Sequence, residues 1–215
     1  MVFVVLKPGR DKSVQRRHPW IFSGAIAKVS GTPEPGETVE VRGSNNAFPA
    51  FGAYSPVSQI RVRIWTFDPD EEISPSFFYS RLKCAIESRD LLTSRCKLTA
   101  YRLVNAESDG LPGLIVDRYN NFLVCQFTAT GAEHWKQDIV KHLAELVPND
   151  GIYERSNTNE REKEGLSLSS GVLSGAEPPD CVEIEESACR FLVDIRSGQK
   201  TGFYLDQRDS RTCLA

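Results

Sequence analysis

Between residues 198 and 208 the chain reads Gly-Gln-Lys-Thr-Gly-Phe-Tyr-Leu-Asp-Gln-Arg, directly before a predicted helix. Two glycines let the backbone turn tightly, two aromatics offer stacking surface, and the polar groups between them donate, accept and carry charge. That mixture suits the edge of an active site. A final turn and helix that merely dock on the body are the plainer reading; the active-site edge fits the composition better, though spacing alone does not prove it.

A second concentration lies at the front. Lys7, Arg10, Lys12, Arg16, Arg17 and His18 lie close together, with Trp20 just beyond. Cations so placed can hold phosphates, and an aromatic beside them can stack on a base. The bland reading is a solvated surface with Trp20 in the core. Arg61 and Arg63 add the same sign of potential, or are plain surface. The net charge of −3 argues against a general nucleic-acid binder, but its distribution does not. Residues 1–67 hold nine Lys/Arg against four Asp/Glu, and the remainder holds 17 against 25. A basic front joined to an acidic body implies that only the front meets a polyanion.

Other chemistry is weaker. Ser108 to Leu114 has closely spaced glycines, but a strand rather than a helix follows, so it reads as a hairpin turn and not a phosphate loop. Cys213 has no evident base. The six cysteines form no C-x-x-C pair and the three histidines have no zinc-like spacing, so reduced, partly buried thiols and no metal are expected. The run Met1 to Leu6 is too short for a secretory core, and no stretch approaches the length of a membrane span. A soluble, cytoplasmic protein is predicted.

The elements that must position these residues follow from periodicity. Strands are predicted at Val2–Leu6, Thr38–Val41, Ala50–Tyr54 and Ile60–Trp65, with Arg61 and Arg63 opposite Ile60, Val62 and Ile64. Trp20 to Ile26 reads as one or two helical turns. Short strands between Gly, Pro and Asn turns imply a small β-barrel or sandwich ending near Phe67. Ser74-Pro75 is a helix start, with Phe78, Leu82, Ala85 and Ile86 on one face. Then come strands at 101–106, 113–117 and 122–127, a helix over 132–147, a strand at 151–155, a loop at 156–165, and strands at 181–185 and 190–195. The class is α+β, the second part running β-β-β-α-β-β-β.

The segment GQKTGFYLDQRDSR resembles the junction motif of a family of S-adenosylmethionine-dependent methyltransferases that modify C5 of cytosine in large-subunit ribosomal RNA. LKPGRDKSVQRRHPWIFSGAI (6–26), LVNAESDGLPGLIVDRYNNFLVCQF (103–127) and IYERSNTNEREKEGL (152–166) look like the same family, in the expected order. The resemblance implies a PUA-like RNA-binding domain over 1–70, a central α+β domain over 71–196, and the start of a Rossmann-like catalytic domain over 197–215. It implies that Thr201, Phe203, Tyr204, Gln207 and Arg208 line the cofactor and substrate cleft. The family's glycine-rich cofactor loop and its cysteine nucleophile have no counterpart in this sequence. The chain is therefore expected to be a truncated piece of a longer enzyme, positioning RNA without binding S-adenosylmethionine or carrying catalytic residues of its own. A stand-alone RNA-binding adaptor is the alternative, a protein–protein module is a third reading, and a homodimer is left open.

Overall fold

The computed structural model describes residues 2–45, 50–89, 98–186 and 189–214. The first six strands are β1 (Phe3–Leu6), β2 (Trp20–Phe22), β3 (Ile26–Ser30), β4 (Thr38–Arg42), β5 (Ala50–Tyr54) and β6 (Ile60–Thr66). They make one sheet in the order β2-β6-β5-β4-β1-β3. Its two edge strands are joined through only the 3₁₀ turn Ser23–Ala25, so the sheet must curl until its edges approach. Val4, Leu6, Ile21, Val39, Val41, Val62 and Ile64 fill the interior.

The expectation of helical turns over Trp20 to Ile26 is corrected. Trp20, Ile21 and Phe22 pair antiparallel with Arg63, Val62 and Ile60, and ladder hydrogen bonds outweigh a helix too short to nucleate. The helix Lys12–Gln15, which periodicity did not reveal, lies between β1 and β2 and is pinned by buried Val14.

The second sheet runs β11-β10-β9-β8-β7. Its strands are β7 (Ala100–Asn105), β8 (Leu114–Tyr119), β9 (Phe122–Phe127), β10 (Gly151–Arg155) and β11 (Ser170–Gly175). β9 and β10 are parallel, and the other neighbours are antiparallel. A hairpin of β12 (Val182–Glu186) and β13 (Cys189–Val193) lies apart from that ladder. Both faces of the sheet are covered, which explains why Leu123, Val124 and Cys125 are all buried. Leu123 and Cys125 point into the core beneath the helices Pro75–Glu87 and Lys136–Leu146, while Val124 points into a smaller core with Ile184, Val193 and Ile195 of the hairpin side.

Three further expectations change. The single helix over 132–147 is two, Thr130–His134 and Lys136–Leu146, parted at Trp135, whose φ of −94° and ψ of 11° leave the helical region. Each piece answers to a different partner: the first packs on the curled sheet, the second on Pro75–Glu87. The 156–165 stretch contains the helix Asn159–Lys163, where good helix formers win, anchored by the buried Arg161. Strand β11 lies outside the predicted strands. Its Ser-Gly-Val-Leu-Ser-Gly sequence has little strand propensity and is held by pairing with β10.

The two sheets share a core. Ala53 and Trp65, outward-facing on the first sheet, are buried among Phe77, Phe78, Leu111 and Ala132 of the second part. Trp65 meets Phe78 edge-on at 5.2 Å between centroids, and Phe78 meets Trp135 at 4.8 Å. Gly131 makes this approach possible: a Cβ there would stand 2.4 Å from Ala53 Cβ and 2.7 Å from Trp65 Cζ2. No helix among the described residues is long and apolar enough to cross a membrane.

Candidate functional site

The cationic residues of the front do not all go to the same place. Lys7, Arg10, Lys12, Arg16, Arg17 and His18 are exposed and follow one another along the segment joining β1 to β2. Lys7 Nζ donates to the Gly24 carbonyl at 2.9 Å, fixing one end of the segment. His18 Nδ1 accepts from the Trp20 backbone N–H at 3.2 Å, fixing the other. Arg17 takes a positive φ of 59°, unusual for a residue with a side chain, and its guanidinium lies 5.9 Å from the Phe67 ring. Arg10, Lys12 and Arg16 form no ion pair among the described residues, so their charge is free to act on solvent.

Arg61 and Arg63 are used differently. Arg61 Nη1 donates to the Ser55 carbonyl at 3.0 Å and holds the turn before β6. Arg63 lies on the covered outer face, bonded to Glu107 at 3.0 Å and Glu164 at 3.1 Å. Trp20 joins the same group through Nε1–H, which donates to Glu107 at 2.7 Å. Trp20 is thus half-buried at the seam between the sheets, neither wholly core nor free. Sequence alone could not show this, because the partners of Arg63 lie 44 and 101 residues away.

The 198–208 segment is built around a buried relay. Thr201 Oγ1 donates to Asp117 Oδ2 at 2.6 Å, so Tyr119 OH must be the donor in its 2.8 Å contact with Thr201. Tyr119 OH in turn accepts from the Phe203 backbone N–H at 3.2 Å. Arg102 closes the far end, with Nε and Nη2 on the two Asp117 oxygens at 2.8 and 3.1 Å. Asp117, Tyr119 and Thr201 are all buried. Burial first, and the Asp117 charge second, push the Tyr119 pKa from 10.0 up to about 12. The Asp117 hydrogen bond raises that of Arg102.

Two glycines serve this turn directly. A Cβ on Gly198 would lie 2.3 Å from the Asp194 carbonyl oxygen, and Gly202 sits at φ 144° against Val193 and Ile195. Thr201 is therefore a plug in the body rather than a cleft wall. Phe203 and Arg208 do line a cleft of about 490 Å³, opposite Tyr101, Arg102 and Asn105. Phe203 is wedged beside Phe191, with the Arg211 guanidinium 4.4 Å from its ring centroid. Tyr204 and Gln207 are exposed and do not line that cleft. Sequence reading missed Arg102, Asp117 and Tyr119. The one available signal was a carboxylate directly after the apolar run Leu114-Ile115-Val116 of one strand.

The described cysteines are free thiols, and only Cys125 is buried, where lost solvation and nearby carboxylates push its pKa far up. Cys84, Cys181, Cys189 and Cys213 are exposed rather than partly buried, and Cys96 lies outside the described residues. No cluster of metal-ligating side chains occurs among the described residues.

Residues 4–67 match the PUA-like domain family. The chain is 53% identical over 210 residues to ribosomal RNA large subunit methyltransferase I of Aliivibrio fischeri, covering 98% of this chain and 53% of that protein. It is 54% identical over 209 residues to the protein of that name from Photobacterium profundum, covering 97% and 53%. The chain thus spans about half the length of the curated relatives it matches. Among solved structures, a protein assigned as a SAM-dependent methyltransferase from Streptococcus mutans superposes with a TM-score of 0.81 at 21% identity, over 100% of this chain and 54% of that one. A methyltransferase structure in complex with SAH gives a TM-score of 0.83 at 21% identity, over 100% and 53%. At that identity the likeness is one of fold. The first sheet is a PUA-like domain, joined to an α+β body of the kind found in those methyltransferase structures.

Proposed function

We propose that this chain is the RNA-recognition and spacing part of an S-adenosylmethionine-dependent methyltransferase acting on cytosine C5 of large-subunit ribosomal RNA. Its parts are a PUA-like unit over 1–70, a central body over 71–196, and a junction over 197–215. The observation that carries the reading is the exposed cationic segment 7–18, whose Arg10, Lys12 and Arg16 form no ion pair among the described residues, on a unit locked by a shared core to the body that bears the junction. The cations grip phosphates, the shared core fixes their position relative to the junction, and the relay through Asp117, Tyr119 and Thr201 seats the residues that border the cleft.

The described residues do not fit the cofactor on their own. The parallel crossover of the second sheet, β9 to β10, enters the helix Thr130–His134, but the space beside its Gly131 is filled by Ala53 and Trp65. A helix start packed in this way offers no open phosphate cradle. No methyl-transfer step is therefore assigned to this chain, and Phe203 and Arg208 stand at the edge of a cleft that a further domain would complete.

Titration with single-stranded RNA at several salt concentrations tests the reading. Contact with about four phosphates gives a log–log slope near −3, and replacing both Arg16 and Arg17 with Ala flattens it by about one. A salt-independent association would overturn the RNA role. Calorimetry with S-adenosylmethionine should show no binding by this chain, and saturable heat would overturn the division of labour.

A further inference from the structure

Phe22 is 48% exposed, yet its ring is not loose. Trp20 meets it edge-on with centroids 6.4 Å apart, and Trp20 is itself fixed by Glu107 and by the Arg63 guanidinium 5.6 Å from its centroid. An aromatic face presented to solvent by a rigid neighbour is a ready stacking platform.

Phe22 also stands where two cavities meet. One, of about 240 Å³, has Arg10 and Ser13 on its rim. The other, of about 810 Å³, follows the seam between the two sheets, with Phe22, Val57 and Gln59 on one wall and Gln126, Thr128 and Lys163 on the other. Its size falls within the range of small-ligand sites. Two polar atoms that border it, Arg63 Nε and Thr158 Oγ1, are buried without a hydrogen-bond partner among the described residues. The walls carry Arg63 and Lys163 against Glu107, Glu160 and Glu164, so the seam itself suits a base rather than a phosphate, and the phosphate belongs outside it, on the Arg10 side.

We propose that this seam is a base-binding site, in which an unpaired RNA nucleotide stacks its base on Phe22 and sets an adjoining phosphate toward Arg10. The proposal rests on the RNA reading above and goes beyond it by naming one platform residue and by using walls from both sheets. The favoured occupant is RNA because Trp20 and Phe22 border both the seam and the smaller cavity that carries Arg10 of the exposed cationic segment. The polar edge of the base would face the Gln59, Gln126 and Thr128 side chains on the walls, partners that a purely apolar segment could not use.

The test is fluorescence anisotropy of labelled hexauridylate and hexaadenylate on the whole 215-residue chain, with Phe22→Ala, Phe22→Tyr and Arg10→Ala variants. Phe22→Ala should weaken binding by about 5- to 100-fold and leave the salt slope unchanged, because stacking releases no counterions. Phe22→Tyr should stay within about twofold of the parent. Arg10→Ala should flatten the slope. If the parent binds and Phe22→Ala binds equally well, the base site is overturned while the phosphate reading stands. That is also the result expected if the seam takes an apolar peptide. Equal losses in Phe22→Ala and Phe22→Tyr overturn stacking. Failure of the parent chain to bind either oligonucleotide overturns both readings.

Discussion

Thr201 donates a 2.6 Å hydrogen bond to Asp117, tying the junction segment to a strand 84 residues earlier in the chain. Both partners are buried, so the bond cannot be exchanged for water without opening the turn. Thr201→Val keeps the shape and removes the hydroxyl, leaving Tyr119 without its acceptor. The expected cost is about 1–3 kcal/mol in urea unfolding, with faster tryptic cleavage at Lys200 and Arg208. Thr201→Ser, which retains the donor, should recover most of the lost resistance.

Tyr119 makes the fold sensitive to alkali. Its folded pKa lies above the ordinary value, so the stability it contributes is whole below pH 10 and is lost as pH rises from 10 through about 12. The gap from 10.0 to about 12 corresponds to about 3 kcal/mol. Unfolding free energies of the parent chain and Tyr119→Phe, compared from pH 9 to 12, should converge by about that amount. Parallel curves would show that the phenol is not titrating as the packing requires.

Arg63 offers a contrast between stability and RNA contact. Its removal takes the cation from Glu164, which is buried, and from Glu107, and leaves Trp20 held by Glu107 alone. Arg63→Ala should cost about 3–5 kcal/mol, the range for breaking a buried pair from one side. The salt slope of RNA binding should not change, because this guanidinium is already neutralised within the protein. A flatter slope for the variant would place Arg63 among the phosphate contacts after all.

Gly131 tests the shared core. Gly131→Ala would gain helix propensity, yet its methyl would overlap Ala53 and Trp65. Overpacking of this kind costs about 1–3 kcal/mol, so a net loss in thermal stability is expected, with altered Trp65 fluorescence. An increase in melting temperature would mean that the two sheets part easily.

What could be read from the sequence follows from how local each cause is. The alternation in Ile60 to Trp65 and the Ser74-Pro75 helix start are decided within a few residues, and both elements are present. Phe122 to Phe127 was legible as a strand, but its burial on both faces depends on a hairpin some sixty residues on. The break at Trp135 was invisible, since the apolar spacing runs straight through it and only the presence of two packing partners divides the helix. At the candidate site, Arg10 and Arg63 are both plain arginines in the sequence. One is exposed and the other is clamped between carboxylates from distant elements, which no spacing rule could separate. The front cluster was therefore identifiable as a group, whereas the buried relay behind Thr201 was not.

The intrusion of Ala53 and Trp65 into the neighbouring interior bears on how such proteins can diverge. A front module transplanted from a distant cousin would arrive with ill-matched side chains at those two positions, and Gly131 leaves no slack to absorb the misfit. Change in the front unit is thereby coupled to compensating change in its host, and lineages should alter these contacts in concert rather than shuffle the two parts freely.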